Sequence, residues 1–163
     1  MPQYIKENNG DWIPVTSLYR TFQGDDSTNE ELKKLSTAPK IPTTVKSMQM
    51  TFEYCESLTN IICIPGSVKE LIWTFDGYTG LEEMPKIGYG VEDMTGAFSG
   101  SSKLNKVSDL PETIKNLQYT FMGCEDLKEI PNIPENVTNM NQTFANCTRL
   151  GYIDITIPEN VTD

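Results

Sequence analysis

Histidine is absent from all 163 residues. That removes the commonest general base and the commonest metal ligand at neutral pH. Serines such as Ser57 and Ser99 therefore have no histidine to activate them, and neither sits in a nucleophile-elbow glycine pattern. Cysteine is scarce: Cys55, Cys63, Cys124 and Cys147 are the only four, and none makes a C-x-x-C pair, which argues against a zinc site. No apolar run approaches the length of a membrane span. The opening "MPQYIKENNGDW" lacks the apolar region of a secretory signal. Basic residues are in deficit, with 13 Lys and Arg against 23 Asp and Glu, a net charge of −10. Nucleic acid and anionic membranes are poor partners for such a chain, because cations must neutralise phosphates. The carboxylates Glu53, Asp76, Glu125 and Asp126 stand at variable positions and read as a solvated surface; nothing singles out a hydrolytic pair. The composition thus points away from an enzyme and implies no metal or cofactor.

What the chain does have is repetition. Its six phenylalanines are Phe22, Phe52, Phe75, Phe98, Phe121 and Phe144, and the last five are 23 residues apart. Seven residues before each stands Val15, Val45, Val68, Val91, Ile114 or Val137, and four before each stands Leu18, Met48, Leu71, Met94, Leu117 or Met140. Six after the last five come Leu58, Leu81, Leu104, Leu127 and Leu150. A fixed period of this size marks stacked repeats that share one core, since a single unit cannot bury its own apolar face.

Eight of the ten prolines fall in two columns, Pro39, Pro85 and Pro131, then Pro42, Pro65, Pro111, Pro134 and Pro158. Proline fixes φ and lacks an N–H, so it suits a bend. The prolines exclude a long helix and predict corners. The β-branched and aromatic stretch from the Val to the Phe column predicts a strand, the stretch from Phe to Leu a short helical or 3₁₀ turn. The expected architecture is a repeat solenoid, leucine-rich-repeat-like, of 23-residue coils of short parallel β-strands with short helical or 3₁₀ turns. At a parallel-strand spacing of about 4.8 Å, six cycles make a rod roughly 30 Å long, with the phenylalanines piled in a spine.

Residues 1–12 read as a lead-in and 13–163 as one solenoid of about six repeats. Residues 23–34, "QGDDSTNEELKK", are an inserted surface loop with a helix-forming run from Asn29 to Lys34. The last repeat is incomplete, because the chain stops after "ENVTD" before that cycle's Phe. A repeat array needs a capping unit, so the open C-terminal end is expected to be covered by another subunit or by the rest of a longer chain. The Asn-x-Thr triplets at Asn136, Asn141, Asn146 and Asn160 follow from the repeat itself. Cys124 and Cys147 fall in adjacent coils at disulfide range, but ladder side chains point alike, and small free hydrophobes are the better reading. In the third unit "GYG" and "GSS" lack the context of a phosphate loop.

"VTNMNQTFANCTRL" and "IPGSVKELIWTFDGYTGL" resemble the BspA-type leucine-rich repeats of bacterial and bacteriophage surface proteins. The family's Val, Met, Phe, Cys and Leu correspond to Val137, Met140, Phe144, Cys147 and Leu150, and the likeness runs from Ile13 to the end. Departures are Tyr78 and Ser101 in the Cys column, and glycines replacing proline in the third unit. The resemblance implies a non-catalytic recognition or adhesion module for a protein or glycan on a host or partner surface. A bacteriophage virion component is the alternative. Location follows the choice: cell surface for a fragment, virion for a phage protein.

The candidate binding patch lies just before each Phe. One column reads Tyr19, Gln49, Ile72, Thr95, Gln118, Asn141, the next Arg20, Met50, Trp73, Gly96, Tyr119, Gln142. One of the two should face outward if side chains alternate along a strand. The second carries large side chains out of the core register, so the patch is Arg20, Met50, Trp73, Tyr119 and Gln142.

Overall fold

The structure, a computed structural model, describes residues 2–6, 11–24, 30–61, 63–77, 80–152 and 155–162. Tyr78 and Asn29 lie outside the described residues.

The phenylalanines form one column. Successive ring centroids from Phe22 to Phe144 are 5.3, 5.7, 5.2, 5.8 and 5.6 Å apart, with interplanar angles of 15° or less. Phe52, Phe75, Phe98 and Phe121 are fully buried, while Phe22 and Phe144, at the two ends, are partly so. The Val, Leu/Met and Leu columns line the same core along its length.

From Pro42 onward, the corner before the Val column is closed by a turn with a three-residue step. The carbonyl of Pro42, Pro65, Pro111, Pro134 or Pro158 accepts the N–H of the Val-column residue three positions on. Gly88 does the same for Val91, so the glycine coil keeps the corner without proline. "GYG" is a packing site: a Cβ on Gly90 would overlap the Gly66 carbonyl of the preceding coil. The Phe-to-Leu stretch is two further turns, Phe52 to Cys55 and Cys55 to Leu58, with N–H···O distances of 3.2 and 3.0 Å. Their three-residue spacing is that of a 3₁₀ turn, but each is a single turn, not a helix.

The expected strands reduce to single residues. Ser17, Ser47, Glu70, Asp93, Asn116 and Asn139 pair in parallel from coil to coil as isolated bridges, and Thr37, Asn60, Glu83 and Lys106 contribute to a second set. The physical reason lies three residues after each bridge of the first set. Trp73 and its equivalents there have positive φ, which breaks extended backbone. Inter-coil bonding nonetheless continues: the N–H groups of Leu71, Trp73, Phe75 and Gly77 donate to the carbonyls of Asp93, Thr95, Ala97 and Ser99 at 2.8–3.0 Å. β-branched and aromatic residues in this stretch were thus reporting core packing rather than a strand.

Side chains close the remaining acceptors. The Thr before Phe donates to the preceding coil, as Thr74 Oγ1 does to the Met48 carbonyl at 2.9 Å. The Cys column behaves alike: Cys124 Sγ donates to the Phe98 carbonyl at 3.3 Å and Cys147 Sγ to Phe121 at 3.1 Å, and Ser101 Oγ takes the same role toward Phe75. The cysteines are free thiols, and this column is a row of donors as well as small hydrophobes. Asn136 and Asn160 donate their amides to the Glu112 and Glu135 carbonyls.

At the N-terminus β1 (Tyr4–Lys6) pairs antiparallel with β2 (Trp12–Pro14), Ile5 opposite Ile13. The hairpin crosses the expected boundary at residue 12 and is tied to the first coil by the Val15 N–H, which donates to the Gln3 carbonyl at 2.8 Å. In the insertion, α1 (Glu30–Lys33) supplies the expected helical turn. Gln23 and Gly24 remain on the stack, the Gly24 N–H donating to the Glu53 carbonyl at 2.8 Å.

Candidate recognition face

The column chosen from sequence has one backbone conformation. Arg20, Met50, Trp73, Gly96, Tyr119 and Gln142 have φ of 52°, 53°, 50°, 59°, 57° and 53°. In this left-handed region a Cβ crowds the following carbonyl oxygen, at roughly 1–2 kcal/mol per non-glycine residue. From Arg20 to Tyr119 it aims the N–H along the stack: Met50 donates to Ile72 at 2.9 Å, Trp73 to Thr95 at 2.9 Å and Tyr119 to Asn141 at 3.0 Å. The column therefore lies on a turn, not a strand, and alternation of strand faces does not set its direction.

Arg20 and Gln142 are exposed at the two ends of the column; Met50, Trp73 and Tyr119 are half-buried. The structure brings Trp73 and Tyr119 together although they are two coils apart, with ring centroids 6.0 Å apart and planes 24° from parallel. Gly96 of the intervening coil permits this. A Cβ there would overlap the six-membered ring of Trp73. At the N-terminal end the Arg20 guanidinium carbon lies 5.6 Å from the centroid of the Tyr19 ring.

The family model for the BspA type Leucine rich repeat region, in 6 copies, matches residues 93–163. Residues 93–163 are thus similar to BspA-type leucine-rich repeats. The chain is also similar to a leucine-rich repeat protein from Bacteroides ovatus ATCC 8483, with 25% identity and a TM-score of 0.56. That likeness covers 99% of this chain and 45% of that one, so the leucine-rich-repeat-like fold extends beyond the matched residues while the chain spans under half the length of that protein. No curated protein matches the chain.

In the same 23-residue register a second column of positive φ stands four residues later: Tyr54, Gly77, Gly100, Gly123 and Asn146, at 58° to 80°. Tyr54, 37% exposed, lays its ring over Gly77 as Trp73 does over Gly96. Sequence reasoning passed over Tyr54, although a tyrosine in a column otherwise held by Gly and Asn was a usable signal. Between the two columns lie Glu53 and Asp76, and neither is the solvated acid expected. Glu53 is 8% exposed and accepts a hydrogen bond from Gln23 Nε2. Burial pushes the Asp76 carboxyl above its usual range, against hydrogen bonds from the Ser99 hydroxyl and the Gly77 N–H. The expectation does hold for Glu125, which is exposed; Asp126 is paired with Arg149 at 3.0 Å.

Proposed function

We propose that the chain is a non-catalytic recognition module of the adhesion type, whose partner contacts the turn face carrying Arg20, Met50, Trp73, Tyr119 and Gln142. One observation carries the reading. Gly96 shows that glycine serves the left-handed backbone of this column, and the core is closed by other columns, yet Met50, Trp73 and Tyr119 stand there against a steric penalty. Large side chains held half-exposed on a rigid backbone are what recognition surfaces use as anchors, because little side-chain freedom is lost on contact.

The test is binding of the purified chain to arrays of cell-surface proteins and glycans, repeated with Trp73→Ala and Tyr119→Ala. Loss of a specific signal in both variants, with unchanged circular dichroism, supports the reading. Binding that survives both substitutions overturns the assignment to this face.

A further inference from the structure

Beyond the first coil the turn face carries only negative charge in four coils and no charge in the last. In the stretches 47–56, 70–79, 93–102, 116–125 and 139–148, which run from each bridge residue past each Phe, the charged residues are Glu53, Glu56, Glu70, Asp76, Asp93 and Glu125. No Lys or Arg occurs in any of them. Lysines do occur one residue earlier, at Lys46, Lys69 and Lys115, but the last two are tied to Glu92 at 2.9 and 2.8 Å. Arg20, in the first coil, marks the N-terminal limit of the anionic surface.

Within this surface stand the stacked rings of Trp73 and Tyr119 and, one column over, Tyr54. The face of an aromatic ring carries negative potential and attracts cations, more strongly where water is excluded, and nearby carboxylates add their own Coulomb attraction. Glu53, buried, and Asp76, half-buried, are the carboxylates between the two columns that carry these rings. A neutral sugar would gain from the rings alone, and an anionic one would be repelled.

We propose that the partner of this face is a protein segment bearing exposed lysine and arginine side chains, seated over Trp73 and Tyr119 with its cations toward Asp76 and its neighbours. This rests on the reading of the face as a recognition surface and names its ligand chemistry.

The test uses fluorescence anisotropy of the full chain with labelled peptides of alternating Lys-Ser and Arg-Ser, and a Gln-Ser peptide as the neutral counterpart, at roughly physiological ionic strength so that distant charges are screened. The cationic peptides should bind about tenfold or more tighter than the neutral one, and Trp73→Ala and the pair Glu70→Gln/Asp76→Asn should each weaken them about fivefold or more. The charge-matched pair Glu112→Gln/Glu135→Gln, outside these stretches, should leave binding within about twofold. Trp73→Phe, which keeps a ring, should retain most binding and serves as the ring test if Trp73→Ala fails to fold.

Equal binding of cationic and neutral peptides overturns the proposal. So does an equal loss in the charge-matched pair, which marks attraction to the net charge alone. A neutral glycan that binds through Trp73 while cationic peptides do not also overturns it, but leaves the recognition face standing.

Discussion

Trp73 lies over Gly96 of the next coil and reaches Tyr119 of the coil after, so one glycine governs whether two aromatic rings on the surface can meet. Gly96→Ala places a methyl in the ring's space and a Cβ on a residue with φ of 59°. The backbone penalty is about 1–2 kcal/mol, and the lost stacking about 0.5–1.5 kcal/mol. Urea denaturation should register a loss in that combined range. In a Trp12→Phe background, which leaves Trp73 as the only tryptophan, the emission should shift as the ring is displaced. An unshifted spectrum and unchanged midpoint would contradict the geometry.

The Phe column should be most sensitive in its middle. Phe98 is fully buried between the rings of Phe75 and Phe121, so Phe98→Ala should remove about 3–5 kcal/mol. That is a large share of a typical total of about 5–15 kcal/mol. Phe144, partly buried at the last coil, should lose about half as much on truncation. Equal losses at both positions, read from denaturation midpoints, would argue against a stack with ends.

Much of this core was legible in the chain. A stacked repeat writes its packing as columns at one period, and the Val, Leu/Met, Phe and Leu columns supply most of the buried set, fully so in the middle coils. The corners were legible too, because proline announces a bend. The left-handed turn was not. Its residues are Arg, Met, Trp, Tyr and Gln as well as Gly, and the backbone is held there by inter-coil hydrogen bonds, which no local preference reveals. Glu53 was unreadable for a similar reason: its burial depends on Gln23, thirty residues away, and on the stacking of two coils.

Thiol chemistry separates the cysteines. Cys63 is exposed beside an apolar cleft of about 360 Å³ that also involves Ile41, Ile61 and Pro65. Cys55, Cys124 and Cys147 are buried, and burial pushes the Cys55 thiol up to about 12 and raises those of Cys124 and Cys147. Thiolate is the reactive form. A thiol reagent at pH 8 should label Cys63 in the native protein and the other three only on unfolding. Rapid native labelling of Cys124 would refute its place in the core.

Glu92 bridges three coils. Lys115 Nζ at 2.8 Å and Lys69 Nζ at 2.9 Å donate to its two oxygens and hold its carboxyl down from 4.5 to about 2. A depressed carboxylate contributes stability above its unfolded pKa and loses it as pH falls through the folded value. The thermal midpoint of the wild type should exceed that of Glu92→Gln near neutrality, with the gap closing between pH 4.5 and about 2. High salt should shrink it, since the pair is exposed. A gap that does not change with pH would remove the ion pairs as its cause.

The central claim is that like side chains lie on like at a 23-residue step. Inter-ring nuclear Overhauser contacts, in a deuterated sample with protonated phenylalanine, read that directly. The stack predicts a single chain of contacts, Phe22 to Phe52, Phe52 to Phe75, Phe75 to Phe98, Phe98 to Phe121 and Phe121 to Phe144. Contacts that skip a ring, such as Phe52 to Phe98, or silence between Phe75 and Phe98, would contradict it.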